Sequence, residues 1–136
     1  RVGPNGKVYA EDIQRLMLEA TRRRIAREGL RNVEPVLGTE SDPRLPAGKI
    51  DAVLVVDTYH EINDPVPLLR NLARSLKPQG RVGVVDFKSN GWGPGPPIDE
   101  RVDPDLIVRD AEAAGLKLAR RETFLPYQFF LIFVRK

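Results

Sequence analysis

A chain of 136 residues with 41% hydrophobic side chains has the size of one domain, expected to span 1–136, and can bury a core without covalent staples. The absence of cysteine excludes disulfides and thiolate metal sites, and one histidine is too few for an imidazole metal site, so no metal is expected. A net charge of +3, from 22 basic and 19 acidic residues, is too mild to mark a nucleic-acid binder. No apolar run approaches the roughly 20 residues of a membrane span, so no membrane partner is expected; no secretory leader opens the chain, so a cytoplasmic location is the default.

After a polar Gly3-Pro4-Asn5-Gly6 turn, Lys7-Val8-Tyr9-Ala10 predicts a strand, and Ile13, Leu16, Met17 and Ala20 predict a helix with one buried stripe. Arg22, Arg23, Arg24 and Arg27 lie along that helix, and Gly29 is placed to end it with a left-handed cap. Residues 32–37 read as a short strand that Pro35 assigns to an edge. A polar loop over 38–49 leads into Ile50-Asp51-Ala52-Val53-Leu54-Val55-Val56, whose nearly unbroken apolar run predicts a central parallel strand buried on both faces. Asp64 and Pro65 supply a helix N-cap and first position, and Leu68, Leu69, Leu72 and Leu76 supply its packing stripe. Lys77-Pro78-Gln79-Gly80 then turns the chain into another buried strand over 81–87.

Between 88 and 102, Gly91, Gly93, Pro94, Gly95, Pro96 and Pro97 exclude regular structure, and a connection this long is expected to be functional, with Trp92 either a lid over a substrate or a hydrophobic anchor for the loop. Asp103-Pro104 repeats the cap-plus-proline start, Ile107, Val108, Ala111 and Ala114 form a stripe, and Gly115 closes the helix. Two last strands, 116–124 and 127–134, are separated only by Leu125-Pro126, a link that permits an antiparallel hairpin and forbids a parallel crossover. The expected fold class is therefore α/β, with an antiparallel C-terminal end.

Four local patterns resemble the class I S-adenosylmethionine-dependent methyltransferases. Val8-Tyr9-Ala10-Glu11-Asp12-Ile13 followed by Met17-Leu18 is similar to the family's second-strand motif, and residues 50–62, with Asp51, Asp57 and His60-Glu61, to its fourth strand. Leu76-Lys77-Pro78-Gln79-Gly80-Arg81 resembles the family's "LKPGGR" turn, and the closing hairpin its reversed last strand. The likeness covers the chain from Lys7 onward and implies a Rossmann-like methyltransferase sheet. The family's first strand and glycine-rich loop are not found in this sequence; the resemblance places them upstream of Arg1 and leaves a vacancy between the strands at 7–10 and 50–56.

The resemblance implies binding of S-adenosylmethionine, methyl transfer by direct displacement to a small-molecule acceptor, and release of S-adenosylhomocysteine. It assigns Asp12 to the ribose hydroxyls, Ile13 and Met17 to the adenine face, and Thr39 to the position beside the adenine amino group, with Glu40 or Asp42 as substitutes. Asp57 falls with the cofactor and His60 becomes a catalytic general base. The residues alone leave other roles open: Asp12 as a helix N-terminal acid, Ile13 and Met17 as core, Glu40 as a solvated loop acid, His60 as structural. The Arg22 to Arg31 cluster has no aromatic stacking platform, which disfavours nucleic acid. A homo-oligomer is left open, and two alternatives stand beside methyl transfer: a dehydrogenase-type nucleotide-binding domain and a non-catalytic fragment or interaction module.

Overall fold

The computed structural model describes residues 2–91 and 93–136; Arg1 and the lid candidate Trp92 lie outside the described residues. The chain divides into two compact units, Arg1–Leu45 and Pro46–Lys136.

The first unit is a single β-α-β crossover. Strand β1 (Val8–Asp12) pairs in parallel with β2 (Val33–Leu37), Val8 opposite Val33 and Asp12 opposite Leu37, and helix α1 (Arg15–Glu28) connects them. As expected, α1 ends at Gly29, whose φ of 63° only glycine adopts without strain; its amide and that of Leu30 return to the carbonyls of Ala26 and Ile25. The buried stripe differs from the expectation. Leu18 is the core residue of α1, with Thr21 and Ile25 on its flank, while Leu16 is 76% exposed, Met17 51% and Ile13 48%. The helix starts at Arg15, so Ile13 precedes it, and Leu18, Thr21 and Ile25 share one face by the 3.6-residue period.

The second unit carries a four-stranded sheet in the order β3-β4-β6-β5, formed by β3 (Ile50–Val56), β4 (Leu76–Phe87), β5 (Leu116–Glu122) and β6 (Gln128–Arg135). β3 runs parallel to β4, and β6 is antiparallel to both β4 and β5, so the C-terminal hairpin forms as its short link requires. Helix α2 (Pro65–Ser75) buries Leu69 and Leu72, with Leu68 half-buried, and α3 (Pro104–Ala113) buries Ile107 and Ala111. These meet Leu76, Val82, Val84, Leu116, Leu131 and Phe133, all at most 1% exposed. Asp103 caps α3 by accepting the Asp105 amide at 2.9 Å, whereas Asp64 precedes α2 without such a bond.

Two expectations for this unit are corrected. β3 is an edge strand of its sheet, paired with β4 alone, and its Leu54 and Val56 are 64% and 44% exposed. An apolar run records the capacity to be covered on both faces, not the presence of a cover. The 77–80 turn is also absorbed into β4: Ile50 faces Leu76 and Ala52 faces Arg81, so the intervening residues bulge from the ladder. Among the described residues, no helix is long and apolar enough to cross a membrane.

Candidate functional site

Open α/β sheets bind ligands beyond the carboxyl ends of their parallel strands. In the second unit that edge holds the residues following β3 and β4 and the start of β6. Asp57 leaves β3 with a φ of 53°, a left-handed conformation that Asp tolerates better than most residues, and its amide donates to the Val85 carbonyl at 2.8 Å. Its Oδ1 accepts from the Gln128 side-chain Nε2 at 2.5 Å, and the Thr58 hydroxyl folds back onto the Val56 carbonyl at 2.8 Å. Asp57 is thereby tied to β6.

The next three residues, Tyr59–Glu61, form one 3-10 turn. Tyr59 is 3% exposed, and its hydroxyl donates to Asp110 Oδ2 at 2.6 Å, fastening the turn to α3. Burial, with the Asp110 bond and charge, drives the Tyr59 phenol far above its usual titration range, so it stays a neutral donor.

His60 is held differently. Its ring Nδ1 lies 3.0 and 3.1 Å from the two carboxylate oxygens of Asp86, and its own backbone amide donates to Asp86 Oδ2 at 3.0 Å. Asp86 is 2% exposed, and its Oδ1 also accepts the Phe87 amide at 2.8 Å. Each carboxylate oxygen thus accepts a backbone amide, which makes Asp86 an acceptor toward the ring and assigns the imidazole proton to Nδ1. The Nε2 lone pair is then the basic one, and Glu61 Oε1 lies 3.8 Å from it. An imidazole with one nitrogen protonated and oriented by a buried carboxylate, and the other a lone-pair acceptor, can take a proton from a bound hydroxyl. Sequence reasoning missed Asp86. The signal was present in a lone acid ending the otherwise apolar run Val82-Gly83-Val84-Val85, a position whose charge needs a partner.

In the first unit, Asp12 ends β1. Its carbonyl accepts the Gly38 amide at 3.0 Å and its Oδ1 accepts the Gln14 amide at 3.0 Å, so the carboxylate serves the start of α1 while remaining half-buried. Gly38 follows β2 at close quarters: a Cβ there would come within 2.9 Å of Asp42 O, Pro43 Cα and Glu11 Oε1. Burial of the Glu11 carboxyl, with the adjacent Asp12 charge, raises its pKa to about 7, although the residue as a whole is exposed.

Thr39 and Asp42 close the loop on themselves. The Thr39 amide donates to Asp42 O at 2.7 Å, the Asp42 amide to Thr39 Oγ1 at 3.0 Å, and the Arg44 amide to Asp42 Oδ1 at 2.8 Å. Glu40 is exposed on this turn. Asp12 and Thr39 are therefore brought to one strand edge, Asp57 and His60 to another, each within its own unit. Within the first unit, an open concavity of about 500 Å³ lined by Gly6, Lys7, Asn32 and Pro35 lies at the amino ends of β1 and β2, opposite Asp12 and Thr39.

A family model described as a methyltransferase domain matches residues 1–84. The chain is 29% identical over 94 residues to a demethylmenaquinone methyltransferase of Listeria monocytogenes, covering 67% of this chain and 40% of that protein. It is 32% identical over 87 residues to a ubiquinone/menaquinone biosynthesis C-methyltransferase of Hahella chejuensis, 63% of this chain and 35% of that one. The chain thus spans about two fifths of the length of the first of these relatives. Among solved structures, a SAM-dependent methyltransferase from Aquifex aeolicus superposes with a TM-score of 0.91 at 30% identity, over 97% of this chain and 70% of that one. An O-methyltransferase from neocarzinostatin biosynthesis, solved with S-adenosyl-L-homocysteine and 1,4-dihydroxy-2-naphthoic acid, has a TM-score of 0.77 at 21% identity, over 96% of this chain and 42% of that one, a likeness of fold alone. These findings do not favour the dehydrogenase alternative.

Proposed function

This chain belongs to the methyltransferase domain family, and from that membership we propose that it serves transfer of a methyl group from S-adenosylmethionine to the hydroxyl, or the hydroxyl-activated ring carbon, of a small hydroxylated aromatic acceptor. The donor set at the β1 edge fits this nucleoside: a half-buried carboxylate at a strand end can accept hydrogen bonds from a vicinal diol, and Asp12 keeps acceptor capacity beyond the one Gln14 amide. Exposed Ile13 and Met17 offer apolar contact to a purine ring. The Thr39 hydroxyl is engaged with Asp42, so Glu40 is the better placed of the two to meet an exocyclic amine.

When bound, S-adenosylmethionine supplies a sulfonium methyl whose C–S bond breaks as the new bond to the acceptor forms, leaving S-adenosylhomocysteine. The chain's own contribution is proton removal and positioning. His60 Nε2 takes the acceptor's hydroxyl proton, while Asp86 keeps the ring oriented and its charge lies against the imidazolium that results. Asp57, fixed by Gln128 and by its backbone bond to Val85, shapes the same edge.

The observation that carries this reading is the buried His60–Asp86 pair at the carboxyl end of the sheet. The test is S-adenosylhomocysteine release by the full-length protein with S-adenosylmethionine and 1,4-dihydroxy-2-naphthoic acid. His60→Gln should lower turnover by about 10²-fold or more, as loss of a general base does, while calorimetry finds cofactor affinity unchanged. Equal turnover by the two proteins would remove His60 from the reaction.

A further inference from the structure

The Gly/Pro loop that follows β4 has no ladder to order it. Gly91, Gly93 and Gly95 all take positive φ (77°, 74° and 122°), and among the described residues of the loop the only regular piece is the 3-10 turn Ile98–Glu100. Such a segment ordinarily samples many conformations. Here one side chain gathers it. Arg101 Nε donates to the Pro96 carbonyl at 2.9 Å, Nη1 to the Lys88 carbonyl at 3.0 Å and Nη2 to the Pro94 carbonyl at 3.4 Å. The three carbonyls come from the start and the middle of the loop, so a single planar guanidinium closes it.

The same guanidinium stands 5.7 Å from the centre of the Phe87 ring, on which Gly95 also rests, a Cβ there falling 2.6 Å from Phe87 Cδ1. Gly93 packs closer still on the Tyr127 ring, and the Lys88 amide donates to the Tyr127 carbonyl at 3.0 Å. Phe87 is the residue after Asp86, and its amide is one of the donors to the Asp86 carboxylate. The clamp is therefore continuous with the His60–Asp86 pair: Arg101 holds the loop, the loop and guanidinium hold Phe87, and Phe87 adjoins the carboxylate that orients the imidazole.

Resting on the methyl-transfer reading above, we infer that Arg101 is a positioning residue for the acceptor: it holds the loop that follows Asp86 and Phe87 as a fixed wall, so that acceptor binding depends on a residue that does not touch the acceptor. Each of the three nitrogens of its guanidinium donates to a loop carbonyl, so the side chain and the loop fix each other's position. Lysine, with one compact ammonium, cannot span three carbonyls and should not restore the function.

The experiment compares wild type, Arg101→Lys and Arg101→Ala in the full-length protein. Amide hydrogen exchange in peptides across residues 88–101 should be faster in both variants, with exchange in β4 and β6 unchanged. With 1,4-dihydroxy-2-naphthoic acid as the acceptor probe, acceptor KM should rise about tenfold or more in both, while the dissociation constant of S-adenosylmethionine stays within about twofold. Unchanged loop exchange in Arg101→Ala would overturn the clamp. Faster exchange with unchanged acceptor KM would overturn the acceptor-positioning role, as would full rescue by lysine. Absence of wild-type turnover with the probe would count against the acceptor class proposed above; the exchange comparison would still decide the clamp.

Discussion

Replacing Asp86 by asparagine changes one atom's chemistry at almost constant shape. In the native site the two carboxylate oxygens accept three donors: the amides of His60 and Phe87 at 3.0 and 2.8 Å and the imidazole Nδ1 at 3.0–3.1 Å. An asparagine retains one acceptor oxygen and turns the other site into a donor, so one backbone amide then faces an NH2 group. A buried donor left unsatisfied costs about 1–3 kcal/mol, which sets the expected loss of unfolding free energy. The larger consequence is at the ring. An NH2 facing Nδ1 requires a lone pair there, which drives the proton to Nε2 and removes the base. Turnover should fall about 10²- to 10⁴-fold, the range for general-base catalysis. Nitrogen-15 NMR of the imidazole reads the tautomer directly, and His60 is the single histidine of this sequence. Nε2 protonated in Asp86→Asn and Nδ1 protonated in wild type is the expected result. The Nδ1–H tautomer in both proteins, with equal turnover, would refute the reasoning.

Asp12→Ala should weaken S-adenosylmethionine binding by about 1.5–3 kcal/mol in calorimetry, the range for hydrogen bonds to a charged group, and an unchanged affinity would remove Asp12 from the ribose. For Glu11 the sign follows from its raised pKa: the folded protein holds the proton between 4.5 and about 7 where the unfolded chain has released it, so this group's contribution to stability falls as pH rises through that window. Thermal melts of Glu11→Gln should therefore match or trail wild type near pH 4 and gain on it above pH 7; a difference independent of pH would contradict this assignment.

Elements whose determinants are local were legible in the sequence. Gly29 ended α1 because only an achiral residue takes that φ at no cost, Asp103-Pro104 began α3, and the link between the last strands, five residues over 123–127 where two were expected, is still too short for anything but antiparallel pairing. Asp12 and His60 were also recognisable, since a strand end needs only a short window to be seen. What lay outside such a window was missed or misassigned. The phase of α1, with Leu18 inside and Leu16 out, was settled by packing against β1 and β2, because the run Leu16-Met17-Leu18 offers a helical period more than one apolar phase. The edge position of β3 was legible only through the resemblance, which left a vacancy beside 50–56; its apolar run by itself carries no record of which neighbours are present. Asp86 lies 26 residues beyond His60, and Arg101 reaches Lys88 across 13. Pairing at those separations is decided by parallel β3 and β4 delivering their carboxyl ends to one edge, and the partner that gives a side chain its chemistry is thereby chosen by the tertiary fold.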